Sequence, residues 1–317
     1  MTLALQTFAL ARSFAVGRRL IGPPRARVHA VRPMSLQVRQ GETLGVVGES
    51  GCGKSTLARM LVGLLPPSAG RIEIEGRQLD RADPAAFGRL IQYVFQDPVS
   101  SLNPRKTIRQ ILEAPLRHLH GLRGAALQDR TAGLLASVNL RDAFLTRYPH
   151  EFSGGQAQRI GIARALAADP RILILDEPVS ALDVSVQAQV LNLLGDLKSR
   201  LGLTYVFISH DLAVVEAVSD RIAVLYFGAL VESGPAERVF ATPRHPYTRL
   251  LAASAPVVGR PLGGAQSGEL PDPMNPPPGC AFAGRCPLAT ALCRQEAPVL
   301  RAIEGEQFAA CHHPLAS

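Results

Sequence analysis

Hydrophobic positions along the chain alternate between two periods. Residues 42–48 (ETLGVVG) form a short apolar run that ends in glycine, and this predicts a buried strand. Residues 54–65 (KSTLARMLVGLL) have helical length and periodicity, with Pro66 and Pro67 as the stop. Residues 71–75 and 91–95 predict further strands. From Pro98 to about Ala168 the pattern turns helical, with residues 107–118 and 129–138 as candidate helices. Residues 171–175 (RILIL) return to a β-rich run. Residues 184–201 predict an amphipathic helix, with Val186, Val190, Leu194, Leu197 and Leu201 on one stripe. A strand over 204–209, a helix from Asp211 and a hairpin over 221–232 bent at Gly228 complete the series.

Strands alternating with helices predict an α/β core with a largely parallel sheet, interrupted by a helical subdomain over about 98–168. After about Ala255 the composition changes. Pro256, Pro261, Pro271, Pro273, Pro276, Pro277 and Pro278 mark a linker-like approach to a cysteine-bearing tail. The expected organisation is a core domain over 1–254 and a C-terminal extension over 255–317. Neither an internal repeat nor a coiled-coil pattern is present.

Composition narrows the class. The chain has 317 residues, 47% hydrophobic and 19% charged, which fits a globular protein with a large core. No run approaches the roughly 20 apolar residues of a membrane span. The charges of the mildly apolar N-terminus follow the apolar part, opposite to a secretory signal, so a cytoplasmic protein is expected. The net charge is +8, and seven arginines precede Glu42: Arg12, Arg18, Arg19, Arg25, Arg27, Arg32 and Arg39. They suit either a solvated surface or a face near anionic lipid. With no Trp and 5% aromatics, no nucleic-acid partner is expected.

Candidate chemistry starts at residues 48–56. The run Gly48, Glu49, Ser50, Gly51, Cys52, Gly53, Lys54, Ser55, Thr56 matches G-x-x-x-x-G-K-[ST] between a predicted strand and helix. Its glycines let backbone N–H groups curl around phosphate oxygens. Lys54 adds a point charge, and Ser55 offers a hydroxyl to Mg²⁺. Asp176 ends a buried strand where α/β ligands sit and is suited to Mg²⁺. Glu177 follows as the candidate base for an attacking water. His210 and Gln96 end two other strands, His210 toward the γ-phosphate and Gln96 between Mg²⁺ and water. Residues 153–156 (SGGQ) combine a hydroxyl, close-approach glycines and a helix start, a second anion-binding end.

Phe152 and SGGQ, followed by AQRIGIARALAADP, resemble the ABC-transporter signature, with Phe in place of the usual Leu at a packing position. Gln96-Asp97-Pro98, Asp176-Glu177-Pro178, the loop Ser180-Ala181-Leu182-Asp183 and His210 complete an ordered motif set over roughly residues 3–250. The resemblance implies MgATP hydrolysis by a P-loop ATPase core. It also implies a dimer in which Ser153, Gly154, Gly155 and Gln156 serve the nucleotide on a second ATPase subunit. It further implies an aromatic on the adenine. Phe14 is the candidate and Phe8 the alternative, with a packed core Phe still open.

DPVSSLNPR (97–105), RYPHEFSGGQ (147–156), DEPVSALDVSVQAQ (176–189) and PRHPYTRLL (243–251) are similar to oligopeptide/dipeptide importer ATPases, as is the tail from Glu269. That implies a protein at the cytoplasmic face of the inner membrane, docked on two permeases and served by an extracytoplasmic solute-binding protein. The same group includes nickel and glutathione importers. Ribosome-associated and DNA-repair ABC ATPases fit less well, because the chain has one ATPase module and no coiled-coil insertion. An export ATPase fits less well because the importer motifs are present.

Cys280, Cys286, Cys293 and Cys311 lie in the tail with spacing C-x5-C-x6-C-x17-C. Four thiolates suit a [4Fe–4S] cluster first and tetrahedral Zn²⁺ second, with metal-free thiols as the remaining alternative. Some members of the resembling group carry such a cluster at matching cysteines. The tail is far in sequence from every nucleotide motif, so a structural role is expected.

Overall fold

The computed structural model describes residues 2–17, 26–78, 83–254 and 270–316. Arg18, Arg19, Arg25, Pro256 and Pro261 lie outside them. The larger sheet runs, in spatial order, Arg301–Glu304, Gln307–Ala309, Ala229–Pro235, Arg221–Tyr226, Thr43–Val47, Thr204–Ile208, Ile172–Asp176 and Ile91–Val94. The five strands from Arg221–Tyr226 to Ile91–Val94 pair in parallel. Their apolar runs have both faces covered, and the two-residue period divides them. Leu173, Leu175 and Phe207 enter one core, while Ile172, Ile174, Val206 and Ile208 enter the other. Strand C-termini therefore open together at one sheet edge, where loops carry polar side chains.

The helical insertion has two long helices, Ile108–His120 and Gly124–Ser137, packed against helix Gly154–Leu166. Thr107 and Gln110 form a capping box at the first, and Gly121 closes it at φ +67°. Helix Val184–Leu201 has the expected span, but its buried residues are Val190, Leu193, Leu194 and Leu197. Leu201, in the last turn before the Gly202 cap, is exposed. The helix after the phosphate loop, Lys54–Leu61, stops before Pro66, at a turn through Gly63 with φ +74°.

Two regions add strands beyond the sequence reading. Leu3–Val16 is the central strand of a smaller antiparallel sheet with Ala26–Met34, Gln37–Arg39, Ala69–Ile74 and Arg77–Gln78. The tail contributes Arg301–Glu304 and Gln307–Ala309, which extend the larger sheet beyond Ala229–Pro235. Glu232, fully buried, joins these parts. Its carboxylate accepts from Gln307 Nε2 and from the backbone N–H groups of Arg244 and His245. No helix among the described residues is long and apolar enough to cross a membrane.

Candidate functional site

The phosphate loop leaves strand Thr43–Val47 and enters helix Lys54–Leu61. Glycine is required on steric grounds at two of its positions. A Cβ at Gly48 would stand 2.2 Å from Leu225 O, and one at Gly53 2.2 Å from Ala30 O, both at positive φ. Gly53 also leaves the helix without a side-chain cap, so its first N–H groups face the loop. Lys54 is buried, and its Nζ donates to Gly48 O at 2.7 Å and Glu49 O at 2.9 Å. Cys52 is buried beside it, and burial pushes its thiol pKa up.

Three parallel strands deliver the rest. Asp176 ends Ile172–Asp176, and Ser55 Oγ donates to its Oδ1 at 3.2 Å. Tyr93 Oη donates to Asp176 Oδ2, a contact that the sequence reading missed. Burial and the Asp176 charge raise the Tyr93 pKa, which keeps it a donor. Glu177 follows at φ +47°, left-handed backbone for a non-glycine residue, with its N–H bonded to Ile208 O at 2.9 Å. Gln96 Nε2 donates to Glu177 Oε2 at 3.0 Å, and His210 Nδ1 lies 3.2 Å from Glu177 Oε1. Ser50, Gly51, Gly53, Lys54, Ser55, Thr56, Gln96, Glu177 and His210 thus line one pocket of about 580 Å³, with Ala30 as a wall. That volume accommodates a nucleotide-sized ligand. Ser55 and Asp176 bring hard oxygen donors together, the chemistry of a Mg²⁺ site.

Residues of the SGGQ motif are not among those lining this pocket. Ser153 and Gly154 are exposed at the start of helix Gly154–Leu166, where Ser153 and Gln156 form a capping box. Gly155 is buried, and a Cβ there would stand 2.3 Å from Val186 Cγ1. Phe152 packs edge-on to Phe144 at 5.4 Å, so the larger residue fills core space. Ser180 Oγ donates to Glu177 O at 3.1 Å, and Asp183 caps helix Val184–Leu201 through Val186 N at 2.9 Å. Ala181 is exposed, and Leu182 packs against the core beside Gly154.

Phe14 is 37% exposed on strand Leu3–Val16, opposite Val28 and outside the pocket lining. The Arg12 guanidinium lies over its ring at 4.7 Å. Phe8 is half-buried under Arg71, at 3.9 Å.

The four tail cysteines converge on one closed cavity, of only about 10 Å³, shared with Phe282, His245, His312 and His313. Burial pushes up the thiols of Cys280 and Cys286, and that of Cys311 to about 11. Among the described residues no three His, Cys, Asp or Glu side chains stand in metal-holding geometry. The tail is far from the nucleotide motifs in sequence but not in space. Arg285, between Cys280 and Cys286, bonds Glu49 of the phosphate loop.

A family described as ABC transporter matches residues 31–180, and one described as oligopeptide/dipeptide transporter, C-terminal region, matches residues 231–293. The chain is 47% identical over 313 residues to the dipeptide transport ATP-binding protein DppF of Escherichia coli K12, covering 97% of this chain and 93% of that protein. It is 48% identical over 293 residues to the oligopeptide transport ATP-binding protein OppF of Salmonella typhimurium, covering 90% and 88%. Among solved structures, the ATP-binding cassette MJ0796, a dimer in a post-hydrolysis state bound to ADP and Pi, superposes with a TM-score of 0.65. The identity is 28%, over 73% of this chain and 98% of that one.

Proposed function

The chain belongs to the ABC transporter family, in its oligopeptide/dipeptide branch, and from that membership we propose that it binds and hydrolyses ATP to power import of peptides across a bacterial inner membrane. The observation that carries the mechanism is the single pocket that gathers Lys54, Ser55, Gln96, Glu177 and His210. The phosphate loop and Lys54 bind the β and γ phosphates. Ser55, Asp176 and Gln96 would hold Mg²⁺, which would neutralise phosphate charge when bound. Glu177, oriented by Gln96 and His210, takes the proton of the attacking water, and His210 also faces the γ-phosphate. Phe14 stacks on adenine.

One chain offers the SGGQ helix end no phosphate of its own. A second ATPase subunit, copy or paralogue, supplies it, and the pair docks on two permeases fed by a solute-binding protein. Lys54→Ala in the assembled transporter should abolish ATP-dependent uptake of labelled peptides by cells. Uptake that persists in that variant, or uptake of nickel but no peptide, would overturn the reading.

The convergence of four cysteines from residues 280–311 on one cavity supports a metal in the tail, [4Fe–4S] ahead of Zn²⁺. A cluster would need the thiols to lose protons and to take up metal-holding positions that they do not occupy here, and the metal would supply the charge that offsets the deprotonation. Protein prepared anaerobically should hold about four irons per chain, with broad absorbance near about 400 nm that bleaches on reduction. One zinc per chain would select the second metal, and metal-free protein with four alkylatable thiols would sink both.

A further inference from the structure

We infer that Arg285 is a positioning residue for nucleotide binding, through which the cysteine-bearing tail sets the shape and charge of the phosphate loop. The inference rests on residues 48–56 being the phosphate site. Arg285 Nη1 donates to Glu49 Oε2 at 2.9 Å and Nη2 to Oε1 at 3.0 Å, a two-pronged pair with the arginine side chain 12% exposed. Every polar group of Glu49 is thereby engaged. Its N–H donates to Tyr247 Oη at 2.9 Å, and its carbonyl accepts from Lys54 Nζ at 2.9 Å. A continuous path runs from Arg285 through the Glu49 side chain and carbonyl to the lysine that meets phosphate.

The tail end of this path is fixed as firmly as the loop end. Phe282 is buried edge-on to Tyr226 at 5.3 Å and lies 5.5 Å from Tyr247. The Arg285 guanidinium lies over the Tyr226 and Phe282 rings at 5.9 and 5.7 Å, and the backbone N–H of Arg285 donates to Phe282 O at 3.0 Å. Cys280 and Cys286 bracket Phe282 and Arg285, so any change in the cysteine turn reaches the pair directly.

Electrostatics gives the pair a second task. An unpaired carboxylate in a loop that binds a polyanion would repel it, and Arg285 cancels that charge. Position and charge together predict a loss in the single variant and most of its recovery in the double variant. Equilibrium MgATP binding to the purified, assembled transporter, with thermal melting in parallel, separates them from a merely structural role.

Arg285→Gln should weaken MgATP roughly 5- to 30-fold and raise KM with kcat changed less than about twofold. Arg285→Lys, which keeps charge but not the fork, should fall between. Glu49→Gln combined with Arg285→Gln should recover most of the affinity that Arg285→Gln alone loses. Arg285→Gln protein that melts lower yet binds MgATP as tightly as the parent would overturn the inference, as would a double variant no better than the single. Lys54→Ala serves as the control. If it too binds MgATP normally, the phosphate-site reading fails and takes this inference with it. If it abolishes binding while Arg285→Gln changes nothing, this inference alone fails.

Discussion

At the scale of single residues, the site depends on side chains that hold other side chains. Asp176 is fixed from two sides, by Ser55 and by Tyr93. Tyr93→Phe removes a buried hydrogen bond to a charged group, worth about 1.5–3 kcal/mol. The variant should need several-fold more Mg²⁺ for half-maximal ATPase activity, with little change in saturated turnover. An unaltered Mg²⁺ dependence would relegate Tyr93 to packing. Phe14 stands differently: it is exposed, outside the pocket lining, and already covered by Arg12. If it stacks on adenine, Phe14→Ala should weaken ATP several-fold and leave binding of a bare triphosphate unchanged. Equal loss for both ligands would count against stacking.

At the scale of elements, much of the core was legible because its strands are short, apolar on both faces and bounded by glycine or polar residues. The hairpin at Gly228 was legible for the same reason, and helix Val184–Leu201 from its helical apolar period. The phosphate loop was readable because its spacing is dictated by backbone geometry. The N-terminal strand Leu3–Val16 was not, since its pairing partners lie as far off as Ile74 and its burial lacks clean alternation. Tyr93 and Arg285 were missed because no local spacing links them to Asp176 and Glu49. Gly155 gives an element-scale test. Alanine there would gain up to about 1 kcal/mol in helix propensity. Its Cβ would meet Val186 Cγ1 at 2.3 Å, an overlap costing about 1–3 kcal/mol. Gly155→Ala should therefore lower the melting temperature; a rise would show that Val186 yields freely.

At the scale of the whole molecule, the tail and the ATPase core are one structure. Tail strands extend the central sheet, and Phe282 belongs to the main core cluster. Ser153 and Gly154 are nonetheless exposed and outside the chain's own pocket, and under the proposed function they serve the nucleotide of a second subunit. A cysteine at Ser153 should crosslink to one in the partner's phosphate loop, more so with ATP than without; crosslinking indifferent to nucleotide would argue against the shared site. The central claim is that hydrolysis in this pocket uses Glu177 as its base. The most direct test is the parallel measurement of MgATP affinity and steady-state turnover for Glu177→Gln in the assembled transporter. That substitution keeps shape while removing the charge. The account predicts near-parental affinity with turnover lowered about a hundredfold or more; turnover within a few-fold of the parent would contradict it.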